Sequence, residues 1–353
     1  MLIMGLETSC DETAVGLVDA ARQIRANIVV SQLAEHQPYG GVVPEIAARA
    51  HLDHLDDLIQ KALAEAKIDW GDVSAIAATC GPGLIGGVMV GAMMGKAIAA
   101  ARNLPFVAVN HLEAHALTVR LTHNVAFPYL LLLVSGGHCQ LLQVKGVGHY
   151  RCLGATMDDA VGECFDKGAK LLGLGYPGGP LLEQTARYGN PRAFDLPRPL
   201  VGRAGCDFSF SGLKTALRHL VARQKDPILS SQFKADAAAS FQASIAAILV
   251  DRTQHALDML AEEKQSITTV VLAGGVAANQ AIRQQLKQLA SSYALAFEAP
   301  PLELCTDNGV MVAWAGLERF RLGMTDGLDT ATRPRWPLEE LISFPLAENS
   351  GRR

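Results

Sequence analysis

The chain has 353 residues, of which 49% are hydrophobic and 19% charged, enough apolar sequence to bury two cores of ordinary domain size. Its net charge of −4 excludes a generally basic nucleic-acid-binding protein, so a nucleic-acid partner would have to meet a local basic patch. Seven scattered cysteines without a Cys-x-x-Cys pair argue against a disulfide framework and a cysteine-ligated zinc. With no basic region before its first acid, the start predicts no signal peptide, and we expect a cytoplasmic protein.

The first 19 residues predict a β-hairpin, with apolar residues 2–6, a polar turn over 7–13 and apolar residues 14–18. The turn contains the acids Glu7, Asp11 and Glu12. Acids in a hairpin turn are usually only solvated, but they can also hold a cation or a water beside a phosphate. The residues alone leave both interpretations open.

Helical spacing of apolar residues over 45–65 predicts an amphipathic helix with His51 and His54 on its polar face. The apolar segment 83–101 that follows is long enough to suggest a membrane span. Its interior Lys96 would cost about 2.5–3.5 kcal/mol in a bilayer, and a glycine every fourth residue forms a smooth stripe for close packing. We therefore expect a buried helix and no membrane partner.

The apolar run 106–109 predicts a strand, and Asn110 is a natural N-cap for a following helix. His111 and His115 lie one helical turn apart, so their imidazoles share a face and could hold one metal ion. Zinc peptidases place a general base directly after the first histidine, whereas Glu113 lies about 200° around the helix. The spacing alone leaves two surface histidines as the alternative.

Residues 129–144 repeat the opening pattern, with apolar 130–134, the turn Ser135-Gly136-Gly137-His138 and apolar 141–144. The two glycines allow consecutive backbone amides to converge on an anion, although Gly-Gly turns also occur for steric reasons alone. Two such units predict a duplicated α/β fold whose turns face each other across a cleft.

Further glycine-rich turns follow at 173–180, after a helix over 158–172, and at 273–279, between a strand and a helix. A glycine turn between strand and helix is where α/β proteins place nucleotides. Asp307 precedes a helix over 310–320, and from sequence it is favoured as a helix cap over a metal ligand.

Residues 190–225 hold seven Lys or Arg against two Asp, a local net charge of +5. Because Phe208 and Phe210 are interleaved with them, this segment, ending at Lys225, is the best candidate for a nucleic-acid-facing surface. A solvated basic face is the alternative.

Eight segments together closely resemble the bacterial TsaD family, in order over about the first 320 residues. They are 5–13 (GLETSCDET), 111–115 (HLEAH), 134–138 (VSGGH), 165–167 (FDK), 176–180 (YPGGP), 208–214 (FSFSGLK), 273–279 (AGGVAAN) and 306–309 (TDNG). The resemblance implies a duplicated actin-like fold of the sugar kinase and heat-shock ATPase type, with two lobes around a nucleotide cleft. The first half would span 1–124, completed by helices over 308–335, the second 125–307, and a flexible tail 340–353.

The family transfers threonylcarbamoyl from threonylcarbamoyl-adenylate to N6 of the adenosine 3′ of the anticodon in tRNAs reading A-starting codons, releasing AMP. The resemblance implies that Asp307 joins His111 and His115 on one divalent ion, iron or alternatively zinc. Asp11 or Glu12 would act as general base. By the same analogy, the substrate contacts would be made by Leu133, Val134, Ser135, Gly136 and Gly137 at the phosphate and acyl group, Asp166, Gly179 and Glu183 at the ribose, and Asn279 near the adenine.

The family also implies partners: tRNA, an inactive paralogue (TsaB) and a small ATPase (TsaE). Three other functions compete with the transferase interpretation. The first is a metallopeptidase, the older description of this family, which the position of Glu113 disfavours. The others are an actin-like ATP phosphotransferase and a nucleotide-dependent scaffold, neither of which needs the histidine pair.

Overall fold

The computed structural model describes residues 1–39, 41–224, 226 and 228–341; Lys225 and the predicted tail beyond 341 lie outside the described residues. Within them are ten β-strands: β1 (Leu2–Glu7), β2 (Glu12–Asp19), β3 (Ile24–Ser31), β4 (Ala75–Gly81), β5 (Phe106–Asn110), β6 (Tyr129–Val134), β7 (Cys139–Gly146), β8 (His149–Ala155), β9 (Thr269–Ala273) and β10 (Ala296–Glu298). The same residues form ten α-helices: α1 (Leu33–His36), α2 (Pro44–Ala66), α3 (Ile85–Arg102), α4 (His111–His123), α5 (Val161–Leu171), α6 (Gly178–Ala186), α7 (Ser211–Ala222), α8 (Ser231–Glu262), α9 (Gln280–Ser292) and α10 (Gly309–Arg321).

The strands form two five-stranded sheets with the same topology. Their orders are β3-β2-β1-β4-β5 and β8-β7-β6-β9-β10. In each sheet the first three strands form an antiparallel meander, and the last two add in parallel beside the first strand. The duplicated α/β architecture predicted from the two hairpins is therefore confirmed. The predicted domain boundaries stay a prediction.

Helix α4 lies between the two sheets. Ala114, Leu117 and Leu121 pack with the first sheet and α10, whereas Leu112 and Ala116 pack with the second sheet. Burying a leucine side chain contributes about 1.5–3 kcal/mol, so both faces of α4 are fixed by apolar packing. The alternative of surface histidines on an amphipathic helix is wrong, because this helix has no broad solvated face.

Helix α10, from the end of the chain, packs against the first two strands. The approach is so close that a Cβ on Gly5 would lie 2.2 Å from the Ala313 nitrogen, and one on Gly16 would lie 2.3 Å from the Gly309 carbonyl carbon. Only glycine permits this contact between helix and sheet backbones. The first lobe is therefore completed by residues far along the chain.

A C-terminal strap, residues 324–341, crosses from the first lobe to the second. Asp326 accepts a hydrogen bond from the Ala108 amide (2.8 Å), and the Trp336 carbonyl accepts one from Asn110 Nδ2 (2.8 Å). Leu338 and Leu341 then join the apolar cluster on the second sheet. The strap thus holds the start of α4 while bridging the lobes.

Helix α3 packs through its glycine stripe, as predicted: a Cβ on Gly87 would lie 2.3 Å from the Thr8 carbonyl oxygen. The expectation of a buried helix holds for that face only, since Ile85, Met89 and Met93 are exposed on the other. By length and composition alone, α3 and α8 could each span a membrane, a test that core helices also pass. Here both helices pack against other elements of the fold.

Candidate metal centre and cleft

Strand β5 delivers His111 to the first turn of α4. Asn110 caps the helix as predicted, because its Oδ1 accepts hydrogen bonds from the Leu112 and Glu113 amides at 2.9 and 3.3 Å. One turn later His115 lies on the same face, and the two imidazole rings are 4.8 Å apart in an edge-to-face arrangement. The cap and the helical period therefore fix the spacing of the two rings.

Asp307 lies against both histidines. Its Oδ1 is 2.9 Å from His115 Nε2 and 3.6 Å from His111 Nε2, and the three residues offer ligand atoms within 4.8 Å of one another. The helix cap is Asn308, whose Oδ1 accepts the Met311 amide at 2.9 Å, so the preference for Asp307 as a cap is wrong. Two imidazole nitrogens and one carboxylate are a donor set suited to iron or zinc, with coordination positions left for substrate.

The charges in this cluster stabilise one another. Burial alone would lower the pKa of His111, but Asp307 and Glu7 outweigh it and raise that pKa to about 9. Burial likewise opposes ionisation of Asp307, yet His111 and His115 hold its pKa well below its usual range. The metal-free protein therefore carries a proton where a cation would fit.

Glu7 supports the cluster from beneath. It is fully buried, and its Oε2 is 3.0 Å from His111 Nδ1 and 2.7 Å from the Thr79 hydroxyl. Burial would raise the pKa of Glu7, but the charge and hydrogen bond of His111 lower it. Sequence reasoning assigned this residue only to a polar turn, although an acid ending an apolar strand was a signal of burial.

The acidic turn faces the triad across a cavity of about 290 Å³, lined by Cys10, Asp11, Glu12, His111 and Asp307 among others. Burial, reinforced by Asp307 and Asp11, raises the pKa of Glu12 to about 10. At physiological pH this carboxyl group is therefore mostly protonated and neutral, so it must lose its proton before it can accept another.

The second lobe closes the same cavity with the turn Ser135, Gly136, Gly137 and His138. Burial and the charges of His111 and His115 lower the pKa of His138 to about 4, so this imidazole is neutral at physiological pH. The sequence marked His138 within a motif but gave it no role. Leu133 and Val134 are fully buried in β6, so their side chains do not line the cleft.

A second cavity of about 240 Å³ adjoins the first and shares Gly136 and Gly275 with it. Asp166, Gly179, Glu183 and Asn279 also line it, so the structure brings these four expected ribose and adenine contacts together.

The polar side chains of this second cavity are already engaged. Asp166 Oδ1 accepts the Gly178 and Gly179 amides at 2.8 and 3.3 Å. Asn279 caps α9 through Oδ1 and donates Nδ2 to Gln242 (2.8 Å), which leaves the apolar edge of its side chain for a base. We expect recognition here to depend on shape and backbone more than on free side-chain donors.

Two expectations outside the cleft are wrong. Phe208 and Phe210 are fully buried and stacked 6.2 Å apart, so they cannot stack on nucleic-acid bases. His51 belongs to a buried network with Thr13 and Gln32 and does not lie on a polar face.

Glu113 faces away from the metal triad. It is buried and contacts Arg319 Nη1 at 2.9 Å and the Tyr150 hydroxyl at 3.0 Å. Because this carboxylate is neutralised on the far side of the helix, it cannot activate a water at the triad. The structure therefore gives no support to the peptidase alternative.

Comparisons with known proteins agree with this geometry. A family model described as TsaD, tRNA N6-adenosine threonylcarbamoyltransferase, matches residues 23–314. A curated protein of that name from Paramagnetospirillum magneticum is 57% identical over 339 residues, covering 96% of this chain and 97% of the relative. One from Sphingopyxis alaskensis is 59% identical over 339 residues, covering 96% of both.

Solved structures resemble the fold at low sequence identity. HypF from T. kodakarensis matches with a TM-score of 0.58 and 16% identity, over 92% of this chain and 48% of HypF. The (R)-2-hydroxyglutaryl-CoA dehydratase component A from Acidaminococcus fermentans matches with a TM-score of 0.52 and 13% identity, over 90% of this chain and 98% of that one. These likenesses confirm the actin-like architecture and carry no argument about activity.

Proposed function

Because the chain belongs to the TsaD family of tRNA N6-adenosine threonylcarbamoyltransferases, we propose that it transfers threonylcarbamoyl from threonylcarbamoyl-adenylate to tRNA. The acceptor is N6 of the adenosine 3′ of the anticodon in tRNAs reading A-starting codons, and AMP is released. One observation supports placing this reaction in the cleft. The cavity lined by His111 and Asp307 of the metal cluster adjoins a second cavity of nucleotide size, and the two cavities share Gly136 and Gly275.

The reaction forms a bond from N6 to the carbamoyl carbon and breaks the bond from that carbon to the phosphate oxygen. N6 of adenosine is a poor nucleophile because its lone pair is delocalised into the ring. Glu12, with Asp11 as the alternative, takes the N6 proton as AMP leaves, and it must be ionised to do so. The amides of Gly136 and Gly137 in the Ser135 to His138 turn stabilise the phosphate charge, since the Ser135 amide is already donated to the His138 carbonyl.

The three residues of the cluster are proposed to hold one divalent ion, iron in the first instance and zinc as the alternative. Such an ion, when bound, supplies a Lewis acid at the acyl group. Asp166 and Gly179 hold the ribose, and the backbone around Asn279 borders the adenine.

The exposed arginines of the basic segment are proposed to contact tRNA phosphates: Arg192, Arg198, Arg203, Arg218 and Arg223. Lys214 is less available because its Nζ pairs with Asp159 at 2.6 Å. We propose that the protein works in the cytoplasm with the paralogue TsaB and the ATPase TsaE. The relatives do not favour the phosphotransferase and scaffold alternatives.

Transfer of labelled threonine from threonylcarbamoyl-adenylate to an unmodified A-decoding tRNA tests the proposal, with the partners present and with or without chelator. We expect label in the tRNA that is lost with chelator and restored by iron or zinc. Label that persists after complete metal removal would keep the transferase and reject the metal's role. Absence of label with a competent control tRNA would reject the function.

A further inference from the structure

The carboxylate of Glu7 touches three groups, and two of them can only donate to it in this arrangement. The Ser9 amide lies 2.6 Å from Oε1, and the Thr79 hydroxyl lies 2.7 Å from Oε2. His111 Nδ1 lies 3.0 Å from the same Oε2. An ionised carboxylate has no hydrogen to offer, so Nδ1 must carry the proton of this third hydrogen bond.

The proton on Nδ1 decides what the other ring nitrogen can do. A histidine that binds metal must give up one of its two ring protons, and because Nδ1 keeps its proton for Glu7, the lone pair forms on Nε2. His111 Nε2 lies 3.6 Å from Asp307 Oδ1, and His115 Nε2 lies 2.9 Å from the same oxygen. The ring is therefore presented to the cluster with its ligating nitrogen inward.

We propose that Glu7 is a positioning residue, which holds His111 in the Nδ1–H tautomer and aims Nε2 at the metal. This inference deepens the proposed function, because it rests on the metal centre proposed there. The chemistry follows from the general behaviour of metal-bound histidines, whose second N–H is commonly donated to a carboxylate that fixes ring orientation and raises ligand basicity. Glu7 would not touch substrate.

A purely structural role for Glu7 is the competing explanation, because the Ser9 hydrogen bond also fixes the start of the acidic turn. Glu7→Gln separates the two. Its amide nitrogen, facing His111, would donate to Nδ1 and move the ring proton to Nε2, where it opposes metal binding. If the amide nitrogen of Gln faced Ser9 instead, two donors would face each other, because the Ser9 backbone nitrogen also carries a hydrogen.

The first measurement is Zn²⁺ affinity of the purified chain, by competition with a chromophoric chelator. We expect Glu7→Gln to weaken Zn²⁺ binding by about 10–100-fold, the range found when such supporting partners are removed. Thr79→Val is the matched control, because it removes one donor to the same carboxylate but leaves the acceptor for His111. We expect it to weaken binding by much less, on the order of a few-fold.

The second measurement reads the tautomer itself and does not depend on any variant folding. Histidine ¹⁵N NMR of the Zn²⁺-loaded wild type should assign the His111 proton to Nδ1 and the metal to Nε2. A metal on Nδ1, or wild-type Zn²⁺ affinity in a folded Glu7→Gln protein, would overturn the proposal. If His111→Ala also leaves Zn²⁺ affinity unchanged, the metal centre fails as well, which distinguishes the two failures.

Discussion

The two walls of the cleft are built from different parts of the polypeptide. On the first-lobe wall, side chains converge: His111 and His115 are buried, and Glu7 beneath them is fully buried and hydrogen-bonded. On the second-lobe wall, backbone and empty space dominate, since a Cβ added to Gly136 or Gly275 would meet no atom within 4 Å. Substitutions that remove side-chain atoms should therefore impair the first wall most. Substitutions that add side-chain atoms should impair the second wall most.

The largest effect should come from removing a side chain of the first wall. We expect His115→Ala to lower kcat/KM for transfer by roughly a thousandfold, because loss of a metal ligand removes several kcal/mol of transition-state stabilisation. Steady-state transfer assays and bound-metal measurements check this. The matched control is His123→Ala on the same helix, one third exposed at its C-terminal end, which should retain both metal and activity.

Next comes the proposed base on the same wall. Glu12→Gln keeps the size of the side chain but cannot accept the proton, so we expect kcat to fall by about 10²–10⁴-fold. Metal content should stay near wild type, which sets this variant apart from the histidine variant. The exposed Glu45→Gln is the control for a glutamate-to-glutamine change outside the cleft. Wild-type kcat in Glu12→Gln would move the role to Asp11.

On the second wall, adding a side chain should weaken substrate binding. Gly136→Val should raise KM for threonylcarbamoyl-adenylate by about tenfold or more, because its side chain enters the shared part of both cavities, where excluding a ligand group costs about 1.4 kcal/mol or more. Its Tm should remain close to wild type, because that space is open in the fold.

Gly162→Ala provides the contrast within the same lobe. Its Cβ would lie 2.6 Å from the Ser135 carbonyl oxygen, so we expect a loss of about 1–3 kcal/mol in unfolding free energy. Thermal unfolding beside adenylate titration distinguishes the two glycines. If Gly136→Val and Gly162→Ala lost the same amount of unfolding free energy, the space around Gly136 would not be open as described.

The smallest effect concerns pH and the metal-free protein. The pKa of His111 is raised from 6.5 to about 9 on folding, so its charged form stabilises the native state. This contribution is complete below pH 6.5 and is lost as pH rises through 9. We expect the unfolding free energy of metal-free protein to decline over that window more than that of His111→Gln. Parallel declines in denaturant titrations would argue against the raised pKa.

The success of sequence reasoning also differed between the walls. The duplicated hairpins and the His111 to His115 spacing were readable because each depends on a local period of the chain. The cap role of Asp307 was misassigned because its neighbour Asn308 serves equally well locally, and only the approach of α4 distinguishes them. Phe208, Phe210 and His51 were misplaced for the same reason, since burial is decided by distant segments. The supporting role of Glu7 could not be predicted, because its three hydrogen-bond partners come from three parts of the chain.

The packing of α10 has a consequence for how the protein is made. During translation the first sheet and both histidines leave the ribosome long before Asp307 and residues 309–321, which supply the third ligand and the helix beneath β1 and β2. The nascent chain must therefore hold an uncovered apolar sheet surface, the kind of surface that favours aggregation, until synthesis is nearly finished. The metal triad also cannot assemble before that point, so metal loading would follow completion of the first lobe.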